Sequence, residues 1–240
     1  GSIGARNAAV SEPYRGGGVG ALNHDEETLR SWVSKADASG WQTVIHAIGD
    51  RAIEQVIAAY AAVATNPERR HRLEHVELPT ERQMEELKRL GLCVCTQPNF
   101  TANWSGPGGL YDDRLGSERD LRSNPLRILH DRKIPMGFGS DGMPPGPLYG
   151  LKGAVCGSSP VQRLEMTEAI RCYTLGGAWL GAMESHIGSL RRGMSADLVV
   201  LDADPARDPG SVSSRQVEMT WVGGERVYVR EGALPQRGNP

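Results

Sequence analysis

The chain has 240 residues, 39% of them hydrophobic, with 27 Lys and Arg against 29 Asp and Glu. That is enough apolar chain for a sizeable core, which excludes a disordered segment, and a net charge of -2 leaves no electrostatic pull toward nucleic acid or an anionic membrane. Four cysteines without a CxxC pair exclude a disulfide scaffold and a zinc knuckle, no apolar run approaches the roughly 18 residues that span a bilayer, and the first residues lack a signal-peptide pattern; the sequence predicts a cytoplasmic protein acting on a small molecule.

In chain order, Leu29, Trp32, Val33 and Ala36 recur at helical spacing between Asp25, placed to cap, and Gly40, placed to terminate. The run WQTVIHAIGD then reads as a short strand ending in Gly-Asp, after which Ile53, Val56, Ile57, Tyr60 and Ala64 resume helical spacing. RLEHVEL repeats the strand, Thr80 with Gln83 forms a capping box, and Met84, Leu87 and Leu90 mark a helical face ending at Gly91. LCVCT is a third strand; a polar, Gly-rich excursion runs from Pro98 to about Arg122; Asn124-Pro125 opens a helix through Leu129, and IPMGFGSD is a fourth strand. Beyond Pro144 the pattern is helical, with Thr167 as N-cap and Ala169, Ile170 and Tyr173 on one face. From Ile187 it changes to ADLVVLD, VEMTWV, a Gly223-Gly224 turn and ERVYV, a small antiparallel unit with a two-residue hairpin. Alternating strands and helices predict an α/β fold with a parallel sheet, satisfied by a barrel or by a doubly wound sheet.

His46 ends the first strand, His75 occupies the same place on the next, and Asp141 ends the fourth before a Gly-Pro-rich loop, so all three emerge on one rim of the sheet. Imidazole nitrogen and carboxylate oxygen are good ligands for zinc and related divalent ions, which lower the pKa of a water they hold to roughly 7. The sequence therefore predicts a divalent metal, zinc foremost, held by His46, His75 and Asp141, with Asp141 also the catalytic base. One strand-end histidine alone is more often structural than ligating; three matched positions reverse that weighting. Asp50 reads as a helix cap, Cys93 and Cys95 as core residues on one strand face, His24, His71, His130 and His186 as surface or helix residues, and Arg191-Arg192 as a solvated turn.

At HAIGDR, RLEHVEL, GFGSD and GSLRRGMSADLVVLD the chain resembles the amidohydrolase superfamily, in the branch of YtcJ-like proteins and N-substituted formamide deformylases, from end to end. The resemblance implies the C-terminal half of a (β/α)8 TIM-type barrel, strands 5 to 8, over residues 1–185, and the C-terminal part of a composite β-sandwich over 186–240. By it His46 and His75 are the fifth- and sixth-strand metal ligands, and Asp141 is the eighth-strand aspartate that binds metal and acts as base. The family's Gln-Pro after the seventh strand places Gln97 and Asn99 near the site. GSIGARNAAVSEPY looks like the segment after the family's fourth strand, so the sequence is expected to begin in mid-domain, with the first-strand His-x-His pair and the fourth-strand ligand lying before Gly1.

The expected function is hydrolysis of a C–N bond, in a non-peptide amide or N-substituted formamide, by metal-activated water. The alternatives are a non-catalytic fragment or subunit that needs a partner supplying the missing barrel half, whether in a homo-oligomer or from a second chain, and a metal-free lyase or isomerase using the same strand ends.

Overall fold

The computed structural model describes residues 1–63, 66–143 and 146–232; Ala64, Pro144 and residues 233–240 of the anticipated tail unit lie outside the described residues. Helix α1 (Glu26–Ala38) starts where the Asp25 carboxylate accepts from Thr28 N at 2.7 Å, and ends at Gly40, whose φ of 80° only glycine adopts at little cost. Leu29 and Val33 are buried, but Trp32, read as part of the same apolar face, is half exposed. Strand β1 (Val44–Ile48) and helix α2 (Asp50–Val63) follow, then β2 (Arg72–Glu77) and α3 (Glu81–Arg89).

The capping box of α3 forms as expected: Thr80 Oγ1 accepts from Gln83 N at 3.2 Å, and Gln83 Oε1 accepts from Thr80 N at 3.0 Å. Thr80→Ala is therefore expected to lower stability by about 1 kcal/mol in urea unfolding. An unchanged midpoint would mean that the reciprocal pair contributes nothing.

Strand β3 (Cys93–Thr96) leads into three short helices, α4 (Pro98–Trp104), α5 (Leu110–Leu115) and α6 (Ser117–Asp120), where a polar excursion was expected. No amphipathic period marks them because a buried polar network holds them. The Asp120 carboxylate accepts from Ser105 Oγ at 2.6 Å and Gly106 N at 2.7 Å, and Gln162 Nε2 donates to Asp120 O at 2.9 Å. Helix α7 (Leu126–Asp131), strand β4 (Met136–Phe138), α8 (Pro147–Val155) and α9 (Met166–Arg171) complete the layer. Thr167 is not the N-cap of α9: Glu165 is, and its N–H donates to the Glu168 carboxylate at 2.8 Å. A π-helical turn, Cys172–Gly176, joins α9 to α10 (Gly177–Leu180).

The four strands form one parallel sheet in the order β1-β2-β3-β4, so each neighbour in sequence is a neighbour in space. Leu73, Val94, Met136 and Phe138 carry one face into a core with Val33, Ile53, Tyr60, Leu87, Leu129 and Ala169 of the helices. The register aligns His46 with Glu74 and Cys95 on the other face, where Val44 is 47% exposed. Strands β5 (Leu198–Leu201), β6 (Val217–Val222) and β7 (Glu225–Val229) form a separate antiparallel sheet, turned at Gly223-Gly224 with both φ positive, as the hairpin pattern requires.

His71, expected at the surface or on a helix, is buried just before β2. Its Nδ1 accepts from Thr43 N at 3.0 Å, its Nε2 faces Asp37 Oδ1 at 3.0 Å, and its ring stacks on Tyr60. The Thr43 N–H fixes Nδ1 as the acceptor, so Nε2 carries the proton toward Asp37, and the ring clamps the end of α1 to the start of β1. Among the described residues no helix is long and apolar enough to cross a membrane.

Candidate metal and hydrolytic centre

His46 and His75, expected to end their strands, lie inside them, His46 in the middle of β1 (Val44–Ile48) and His75 within β2 (Arg72–Glu77), while Asp141 follows the end of β4 at Phe138. The His46 and His75 rings meet edge to face with centroids 4.6 Å apart, and His75 Nε2 lies 3.8 Å from Asp141 Oδ2. His46 Nε2 also meets Gly1 O at 2.7 Å.

Simple alternation would not have brought the two rings together. Glu74 is in register with His46, so His75 should face the opposite side of the sheet. The pairing instead jumps from Ala47–His75 to Ile48–Glu77, leaving Val76 as the extra residue of a bulge that re-aims its neighbours. His75, Val76 and Leu78 have φ of 70°, 55° and 62°, and Asp141 has φ of 52°. The left-handed region is costly for a β-branched valine, and backbone strain of this kind concentrates where side chains must be held for function.

His75 is 6% exposed and stacks on Phe100. Burial, and then the facing His46, push its pKa down to about 4, while Asp141, Glu74 and the Gln97 side chain oppose the fall. The ring is thus neutral at physiological pH, as a metal ligand must be. Asp141 is more open, its side chain 52% exposed. Its loop is tied back by Asn99 Nδ2, which donates to Ser140 O at 2.8 Å.

Two carboxyls that the sequence reading passed over lie on the same strand. Glu74 Oε1 accepts from Arg72 Nε at 2.7 Å, and its Oε2 from Gln97 Nε2 at 3.3 Å. Glu77 is 1% exposed with both oxygens unpartnered, and burial pushes its pKa up to about 8, offset only in part by the Tyr111 hydroxyl. The only signal for either was a charged residue inside a strand, which surface ion pairs also produce. Asp50 does not cap α2; its carboxylate accepts from Ser11 N at 2.9 Å and from Ser11 Oγ, anchoring the N-terminal segment. Cys93 is buried and Cys95 half-buried, both thiols pushed up to about 12 by burial, but they share the strand face of His46 and Glu74 and are not part of the expected core; Arg191 and Arg192 are solvated, as expected.

A cavity of 430 Å³ flanks β1, lined by Leu22, Trp32, Val33, Val44, His46 and Val56. A 700 Å³ hollow at Pro135 and Met136 opens at the other ends of the strands, away from the three residues. Among the described residues no three His, Cys, Asp or Glu side chains close into a metal cage.

The profile of the Amidohydrolase family matches residues 1–228. This chain belongs to that family. It is 32% identical over 246 residues to the putative amidohydrolase YtcJ of Bacillus subtilis (strain 168), covering 95% of this chain and 45% of that protein. It is 28% identical over 228 residues to the N-substituted formamide deformylase of Arthrobacter pascens, covering 90% of this chain and 42% of that one. Among solved structures, an uncharacterized metal-dependent hydrolase from Pyrococcus furiosus superposes with a TM-score of 0.76 at 30% identity, over 86% of this chain and 43% of that one. The chain spans less than half the length of the curated relatives it matches.

Proposed function

We propose that the chain carries part of the active centre of a metal-dependent hydrolase that cleaves a C–N bond other than a peptide bond, in a small amide or N-substituted formamide. The observation that carries the reading is the approach of His75 to both His46 and Asp141, with His75 turned into place by a strained bulge. The fold reading that goes with it takes β1 to β4 as strands 5 to 8 of a (β/α)8 barrel: neighbours run in sequence order without the reversal of a doubly wound sheet, and the core helices pack on one face. Residues 1–185 are then barrel and 186–240 part of a composite β-sandwich, each completed by chain of the length the relatives carry, from this gene or from a partner. Four free thiols suit a reducing cytosol.

The residues fit a divalent cation such as zinc in donor type, and His75 lies close to both His46 and Asp141, with these three as the ligands supplied here and the rest of the cage to come from the completing half. Such an ion supplies Lewis acidity toward water and a carbonyl oxygen. His75, neutral and stacked on Phe100, holds its position. The Asp141 carboxylate takes a proton as water oxygen adds to the carbonyl carbon, and returns it to the departing nitrogen as the C–N bond breaks, leaving a carboxylate and an amine. The apolar cavity beside His46 suits the substituent on nitrogen.

Amine release from N-substituted formamides and simple amides by the complete gene product, before and after chelation, tests this. Release should vanish on chelation and return with zinc. Release indifferent to chelation would sink the reading.

A further inference from the structure

The first turn of helix α4 is buried from Pro98 to Thr101. Within it Asn99, 1% exposed, donates through Nδ2 to Ser140 O at 2.8 Å. A flipped amide would set its oxygen against that carbonyl, so the donor is fixed, and Oδ1 is left buried with no partner. The sheet releases β4 just before this point, where Gly139 N donates to Thr96 O at 3.0 Å. Beyond it, among the described residues, the Asn99 amide makes the one hydrogen bond that reaches residues 140–143 from elsewhere in the chain. Asp141 lies in that segment with φ of 52°, and a left-handed residue of this kind persists only where its surroundings hold it.

The next residue of the same turn, Phe100, stacks on the His75 ring with centroids 5.7 Å apart and planes inclined by 19°, and Trp104 backs it at 4.6 Å. The Phe100 N–H donates to Gln97 O at 2.9 Å, which closes the turn. Helix α8 packs so tightly on the turn that a Cβ at Gly153 would overlap Pro98 O. The turn therefore has no room to shift toward α8, and two consecutive residues of it reach the His75 ring and the loop of Asp141, whose side chains stand 3.8 Å apart.

We propose that Asn99 is a positioning residue that sets where the Asp141 carboxylate stands relative to His75: its amide pins Ser140, and the turn that carries it is keyed to the imidazole through Phe100. The tether fixes the backbone from which Asp141 projects and leaves its half-exposed side chain open to a reactant. The consequence for turnover rests on the function proposed above, in which Asp141 is the base, whereas the restraint on the loop does not.

Asn99→Leu, close in shape, removes the donor and with it the buried oxygen that has no partner, so overall folding should hold. Crystal structures of the complete gene product without metal, wild type and variant, read the restraint directly. The Asp141 carboxylate should move by about 1 Å or more, or spread over several positions, while His75 and β1 to β3 stay in place; a misplacement of that size costs up to about 100-fold in rate. Amine release from N-substituted formamides by the metal-loaded protein should accordingly show kcat lower by about 10–100-fold with KM within about twofold of wild type. Asn99→Asp, which sets an oxygen where the donor was, repeats both measurements should the leucine variant not fold. An Asp141 loop that superposes on wild type in a folded variant would overturn the proposal, and so would an unchanged kcat or a loss confined to KM. A displaced loop in a protein whose wild type releases no amine would support the role of Asn99 and count against the proposed function alone.

Discussion

Glu77→Gln should stabilise the protein by about 3 kcal/mol at pH 7, with the gain growing toward pH 8 and vanishing below pH 4.5. The carboxyl is 1% exposed, without a partner for either oxygen, and burial raises its pKa from the ordinary 4.5 to about 8. Between those values the unfolded chain has given up a proton that the folded chain keeps. Its contribution to stability is therefore fully present below pH 4.5 and is lost as pH rises through 8. Glutamine keeps the shape and has no proton to lose. His75 works in the other direction: its pKa falls from 6.5 to about 4, so the unfolded chain takes up a proton first and stability is lost as pH drops from 6.5 through 4. That term is common to both proteins, so the difference between their unfolding free energies at pH 5, 7 and 9 isolates Glu77. Parallel curves would mean that Glu77 finds a partner for its charge.

The second large effect concerns Asp141. Asp141→Asn is expected to lower kcat by about 10²–10⁴-fold, the range for removing a general base, with bound metal largely retained. The backbone here has φ of 52°, a region that asparagine tolerates as well as aspartate does, and the side chain is half exposed, so folding should be undisturbed. His75→Ala should behave differently, losing metal and activity together, because a buried neutral imidazole is removed rather than a proton acceptor. Equal metal loss in both variants would make Asp141 a ligand only; full activity in Asp141→Asn would remove it from the chemistry.

Much of the layer order was legible because it rests on local periodicity. The four strands, the α1 cap at Asp25, the Thr80–Gln83 box and the Gly223-Gly224 hairpin each depend on residues a few positions apart, and each was found where expected. His46, His75 and Asp141 were visible as polar residues in or just after apolar runs, although the two histidines lie inside their strands and not at the ends. What escaped was set by contacts between distant segments. The bulge at Val76 depends on register against β1, and nothing about a valine signals a left-handed backbone. The helices between Pro98 and Asp120 are held by Ser105, Asp120 and Gln162, which are far apart in sequence and read singly as loop residues. His71 looks like any loop histidine until Asp37 and Thr43 close on it.

The same distinction governs the site. Glu74 and Glu77 sit one and two residues from His75, which was singled out, yet one accepts from Arg72 and Gln97 while the other is sealed beside Tyr111. Composition cannot separate those fates, because both are glutamates in a half-buried strand. Geometry does, through which oxygen atoms find donors.

Elemental analysis of the complete gene product, purified without chelators, in wild-type form and as the His46→Ala, His75→Ala double variant, puts the assignment of the two imidazoles to the test. Wild type should retain a divalent cation near stoichiometry and the folded double variant should lose it. A double variant that keeps the wild-type metal content would contradict the account.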